Sequence, residues 1–158
     1  MRKRIVGPRP AEPEHESDQA WLDVSRIATV EVTSEDAGSP IEAAFGSTEG
    51  RGWRADGPGE QQIRIIFDDP VSLHRIELRF YEPEFERTQE FILRWCSASG
   101  GVWTEIVRQQ WNFSPEGSPT EIETYTINLQ AVSVLELVIL PHGPPRGAVA
   151  TLASWRLR

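Results

Sequence analysis

The chain has a single cysteine, Cys96, among its 158 residues, so no disulfide can close within it. Histidine is almost as scarce, with only His15, His74 and His142. A hydroxyl or thiol nucleophile needs a histidine oriented by a carboxylate, and none of the three sits in such a setting. His15 lies in a polar leading stretch, His74 alternates with apolar residues, and His142 falls in the loop sequence Pro141-His142-Gly143-Pro144-Pro145. One thiol and scattered imidazoles offer no zinc-ligand spacing. Neither Gly-x-Gly-x-x-Gly nor a P-loop is present to cradle a phosphate. No apolar run approaches the ~20 residues of a membrane span, and the basic start Arg2-Lys3-Arg4 is followed only by Ile5-Val6 before Gly7-Pro8, which is not an export signal. These absences lead us to expect a cytoplasmic protein with no membrane partner, no catalytic residues and no cofactor. The net charge of -8 and pI near 4.9 also argue against a phosphate backbone as partner.

What is present reads as one domain behind a tail. A chain of this length buries roughly two thirds of its unfolded surface and needs no metal or crosslink for stability. Residues 1–26 carry a basic run, then an acidic one, with Pro8, Pro10 and Pro13 between them, and are expected to be a partly disordered tail. Trp21, Leu22 and Val24 break that polarity and would dock the tail onto the domain at 27–158. From Ile27 onward short alternating segments are separated by Gly, Pro, Asp and Ser, the pattern of an all-β antiparallel sandwich with very little helix.

The spacing assigns one face each to Ala28, Val30 and Val32, to Ile63, Ile65 and Phe67, to His74, Ile76, Leu78 and Phe80, and to Phe91, Leu93 and Trp95. A later strand carries Tyr125, Ile127 and Leu129. The next has Leu135, Leu137 and Ile139 on one face and Val134, Val138 and Leu140 on the other, which marks it as central. A final strand spans 148–157. Ser39 as N-cap and Pro40 at the first position predict one short helix ending at Gly46, and Ser97-Ala98-Ser99-Gly100-Gly101 predicts a hairpin.

The order of these pieces resembles the discoidin family, also called coagulation-factor type C or galactose-binding-like. The carrying residues are Ala28-Thr29-Val30-Glu31-Val32, Pro40-Ile41-Glu42-Ala43-Ala44-Phe45, Gly52-Trp53-Arg54-Ala55, Gln62-Ile63-Arg64-Ile65-Ile66-Phe67-Asp68 and Val71 through Leu78. The hairpin from Trp95 to Trp103 and the closing Ala150-Thr151-Leu152-Ala153-Ser154-Trp155 complete the set. The resemblance implies a jelly-roll sandwich whose loops at one end touch ligand. It also implies, in many members, a structural calcium held by an Asp-Gly pair and a closing-strand Glu. Gly46-Ser47 and Ser154 stand at those places, so no metal is expected, with Glu49 a partial substitute at most.

Two loops follow from the resemblance as the ligand end: Glu35-Asp36-Ala37-Gly38, and Tyr81 through Thr88. The second holds two aromatics among charges. Ring faces stack on apolar sugar faces, and Arg87 and the glutamates can bond hydroxyls. Glu82, Glu84, Glu86 and Glu90 read as a solvated acidic loop rather than an acid/base pair. The expected ligand-binding residues are Glu35, Asp36, Arg54, Tyr81, Phe85, Arg87 and His142, with Trp53 as a core plug. The resulting expectation is a non-catalytic module for carbohydrate or a similar polar ligand, the alternative being a cytoplasmic protein–protein interaction scaffold. Asn112-Phe113-Ser114 fits a glycosylation sequon but reads as a plain turn.

Overall fold

In the computed structural model of the chain, residues 20–46, 50–98, 101–143 and 147–158 are described. The tail runs, His15, Ser47, Glu49 and the Pro144-Pro145 pair lie outside the described residues. A one-turn helix α1 (Val24–Ile27) leads into β1 (Ala28–Val32), followed by α2 (Glu42–Phe45), β2 (Trp53–Pro58), β3 (Gln61–Tyr81), β4 (Arg87–Cys96), β5 (Thr104–Phe113), β6 (Thr120–His142), β7 (Val149–Leu152) and β8 (Ser154–Leu157). One sheet runs β1-β3-β6-β4-β5 with β8 also on β3, and β2 pairs separately with β7.

Two long antiparallel strands make the sandwich. β3 and β6 are 21 and 23 residues long and pair along both of their halves. The first half of β3 lies between β1 and the second half of β6, which continues to β4 and β5; the second half of β3 lies between β8 and the first half of β6. Register shifts between Ile66 and Arg75 bend the ribbon from one layer into the other, as bulges do. Exposed Pro70, which has no N–H for a ladder, stands in that bend. So does Ala131 on the partner strand, at a φ of 55° that costs a side-chain-bearing residue roughly 1 kcal/mol. Ile63, Ile65, Phe91, Leu93, Leu135 and Leu137 from one layer then meet Ile76, Leu78, Phe80 and Leu157 from the other in one core. Phe80 and Phe91 touch across the layers with ring centroids 5.0 Å apart.

The antiparallel sandwich expected from alternation is present, and β6 is central, between β3 and β4. Four details differ. The segments read as second and third strands are one continuous β3, as are the two later ones in β6, because a bulge bends a strand without ending its ladder. His74 is exposed and Leu73 is buried in its stead, since the N–H groups of His74 and Arg75 share the Arg158 carbonyl at 2.8 and 2.7 Å and shift the alternation by one residue. The closing strand is two strands broken at Ala153, whose N–H turns aside to the Arg79 carbonyl at 2.8 Å. Finally, Ser39 does not cap α2: Ile41 stands at the N-cap without a side-chain cap bond, and its own N–H donates to Glu35 Oε2 at 2.9 Å.

Residues 20–27 are docked. Leu22 N–H donates to the Leu157 carbonyl at 2.7 Å, Val24 is buried, and the Trp21 ring lies 4.4 and 4.5 Å from the guanidinium carbons of Arg156 and Arg158. Trp53 is fully buried, its Nε1–H donating to the Ser34 carbonyl at 3.1 Å. The preceding Gly52 has φ +68° and leaves only 2.3 Å between a would-be Cβ and the carbonyl oxygens of Leu152 and Ala153, so no other residue fits there.

Candidate functional site

The strand registers gather several connections at one end of the sandwich. Val32 pairs with Ile63, Thr88 with His142, Arg87 with Phe113, and Tyr81 with Thr120, so the segments after β1, between β3 and β4, between β5 and β6, and after β6 emerge together. Loops held by a rigid sheet are where binding residues concentrate. The first loop is self-contained. Glu35 Oε2 accepts from the Ile41 N–H, Asp36 Oδ1 accepts from the Gly38 N–H at 2.8 Å, and the Arg54 backbone bonds Asp36 and Ser39 at 2.8 and 3.1 Å. Both expected carboxylate ligands are therefore engaged with backbone, while Arg54 itself is exposed.

Arg87 departs most from expectation. Its side chain is 1% exposed, and its three nitrogens are all committed: Nε donates to Glu82 Oε1 at 2.5 Å, Nη1 to Gln89 Oε1 at 3.0 Å and Nη2 to Thr151 Oγ1 at 2.9 Å. Gln89 Nε2 donates to the Thr151 carbonyl at 3.0 Å, and the Phe113 ring lies 5.5 Å from the guanidinium carbon. A buried charge is tolerated only with such pairing. Arg87 is therefore held from beneath the groove, with its charge paired to Glu82 and three of its five N–H groups given to protein acceptors. Glu82, expected in a solvated loop, is its buried counter-ion. Of the other acids, Glu84 pairs with Arg51 at 3.3 Å and Glu86 is exposed.

Above this network lies a groove of about 510 Å³ lined by Glu86, Arg87, Thr88, Asn112, Phe113, Ser114 and Gly143. Thr88 Oγ1 donates to Asn112 Oδ1 at 2.8 Å, and the Asn112 amide nitrogen has no hydrogen-bond partner among the described residues. Phe113 is 1% exposed and forms part of the floor, and Phe85, in the adjoining loop, is 43% exposed. His142 is exposed, pairs in register with Thr88, and lies 3.7 Å from Glu90, itself 3.6 Å from Arg108. Of the seven expected residues, the structure places Arg87 under the groove and Phe85 and His142 beside it. Tyr81 is half-buried at the end of β3, and Glu35, Asp36 and Arg54 belong to the first loop. The sequence reading missed Thr88, Asn112, Ser114 and Gly143. Asn112 and Ser114 carried a signal, as the polar flanks of an aromatic turn, but only register brings them to Thr88.

Near this end, on the first half of β6, Glu121 and Glu123 project from the same face. Burial, followed by a hydrogen bond to Glu123 and the repulsion of its charge, pushes the Glu121 carboxyl up to about 8. Burial and the same two acids also raise the Tyr125 phenol, which donates to Gln109 Oε1. Among the described residues no three acidic, histidine or thiol groups converge to hold a metal, and at the closing-strand place of the discoidin calcium site stands a buried serine, Ser154, without a carboxylate. The described residues do not fit that ion.

No protein-family model matches the sequence, and no curated protein matches it. Solved structures do. The family 32 carbohydrate-binding module of NanJ from C. perfringens, in complex with galactose, aligns over 87% of this chain and 96% of its own at a TM-score of 0.63 and 14% identity. The chain shares the fold of these modules. A second family 32 module from Clostridium perfringens, in complex with GalNAc-β-1,3-galactose, covers 87% of this chain and 99% of its own (TM-score 0.60, 16% identity). A pectin-binding module covers 84% and 90% (TM-score 0.59, 18% identity). Family 32 modules have the galactose-binding-like, discoidin-type fold that the sequence resembles. At such identities the likeness establishes architecture alone.

Proposed function

We propose that this chain is a non-catalytic module that binds neutral carbohydrate in the groove at its loop end. One observation carries the choice of ligand class: among the described residues lining the groove the only cation is Arg87, and all three of its nitrogens are taken by Glu82, Gln89 and Thr151. A uronate carboxylate would meet no free guanidinium there, and would face the charge of Glu86. A neutral sugar would meet a hydroxyl, an amide and a carboxylate on Thr88, Asn112 and Glu86, which match hydroxyl groups as donors and acceptors. Galactose and GalNAc-β-1,3-galactose, the ligands of two structural neighbours, belong to that class, whereas pectin is an acidic polysaccharide.

Catalysis finds no support in the same residues. Glu121 and Glu123 lie on the first half of β6 and are not among the residues lining the groove. A protein partner is less well supported than a sugar, because the exposed large apolar side chains among the described residues, Phe85, Val102 and Ile122, stand on three separate segments. The test is a calorimetric comparison of galactose with galacturonic acid. Galactose binds, the uronate binds at least about tenfold more weakly, and Asn112→Ala lowers galactose affinity by about tenfold. Equal or tighter uronate binding overturns the ligand class, and no binding of any sugar overturns the function.

A further inference from the structure

On the outward face of the same sheet one row of residues crosses all five strands. Glu31, Arg64, Glu136, Arg94 and Glu105 are successive register partners on β1, β3, β6, β4 and β5, and their charges alternate. At the centre Glu136 bonds both Arg64 and Arg94 and is 0% exposed, although its face of the sheet is the one turned away from the core. Trp103, from the start of the β4–β5 hairpin's second arm, covers the row: the guanidinium carbons of Arg64 and Arg94 lie 5.4 and 4.9 Å from its ring. Two cations anchored by one carboxylate fix the indole plane. Trp103 is nonetheless half-buried only, and with Glu60, Gln62, Arg94, Glu105 and Arg108 it lines a separate groove of about 250 Å³.

We infer that this groove is a second binding site, for one neutral sugar ring stacked on Trp103. Its volume falls below the about 300–1,000 Å³ of sites for larger ligands, which limits it to a single ring. Its charges decide the class. Arg94 is bound to Glu136 and Arg108 to Glu105 at 3.0 Å, so an anion finds no unpaired cation, while the exposed Glu60, without an ion pair among the described residues, is left as a hydrogen-bond acceptor at the rim. What remains is an immobilised aromatic plate bordered by hydrogen-bonding groups of both kinds. That combination suits a ligand with one apolar face and a rim of hydroxyls. The site is distinct from the loop-end groove: Arg108 and Asn112 are four residues apart on β5, roughly 14 Å along the strand.

The two sites are separated by following nitrogen-15 NMR spectra of the whole chain during titration with galactose, N-acetylgalactosamine and glucose. The expected result is a saturable shift of the Trp103 indole N–H together with the amides of Gln62, Arg94 and Arg108. Trp103→Ala abolishes that set while Thr88, Asn112 and Gly143 still titrate, and Trp103→Phe, which keeps a ring, weakens it by less than about tenfold. Conversely, Asn112→Ala weakens only the loop-end set. An unmoved Trp103 indole at saturating sugar in the unaltered chain overturns this site and leaves the loop-end reading intact. Movement of the Trp103 set alone would overturn the loop-end reading and keep this one.

Discussion

Glu82 and Glu136 are both buried and both bound to arginine, yet their surroundings are opposite. Arg87, the partner of Glu82, has a side chain 1% exposed, whereas Arg64 and Arg94, the partners of Glu136, are 39% and 33% exposed. The first pair is sealed between the loop end and β7, where Thr151 completes it. The second lies on a sheet face where the carboxylate is covered but its arginines reach water. Loss of one partner therefore has different consequences. In the sealed network the remaining charge has no solvent to turn to; on the sheet face the arginines can rehydrate. Loop-end architecture depends on the first cluster, and the orientation of Trp103 depends on the second.

Breaking the sealed cluster should have the largest effect. Glu82→Ala strands the Arg87 charge and is expected to lower unfolding free energy by about 3–5 kcal/mol, read from the urea midpoint. Thr151→Val, which keeps shape but removes the acceptor for Arg87 Nη2, should cost about 1–3 kcal/mol. Glu136→Leu should cost less than either, about 1 kcal/mol, while freeing Trp103 to a more solvent-exposed fluorescence. If Glu136→Leu proves as damaging as Glu82→Ala, arginine exposure is not what separates the two clusters.

The smallest effect sharpens the contrast with a third carboxylate, Glu121, whose neighbour is an acid instead of a cation. Its folded value of about 8 stands above its ordinary 4.5, so the folded state holds the proton more tightly. The stability it contributes is complete below about pH 4.5 and is lost as pH rises through about 8. Glu121→Gln should flatten this slope in a series of urea melts.

Residue alternation made much of this legible, because the period of two along a strand is independent of what the strand pairs with. Ala28-Val30-Val32, Ile63-Ile65-Phe67 and the two-sided apolar run of β6 fell where their patterns pointed. Features set by pairing across distant strands did not. Glu82 reads as one more acid in an acidic loop, and Glu136 as a polar interruption of a core strand, until register brings Arg87 or Arg64 and Arg94 alongside. The bulge that exposes His74 is invisible for the same reason, since it answers to the carbonyl of Arg158. At the candidate site, the loop of Phe85 and Arg87 was expected from the resemblance and its aromatics and stands beside the groove, whereas the burial of Arg87 answers to Glu82, Gln89 and Thr151 and was not expected. The Thr88–Asn112 contact was not, for 24 residues and a hairpin separate its members.

The most direct test of neutral-sugar binding at the loop end is a crystal structure of the chain grown with galactose. The account predicts a galactose ring in the groove between Thr88 and Asn112, with Glu86 within hydrogen-bonding distance and the Arg87 guanidinium still held by Glu82, Gln89 and Thr151. An empty groove at saturating galactose, or a ring bonded to an Arg87 that has left Glu82, would contradict it.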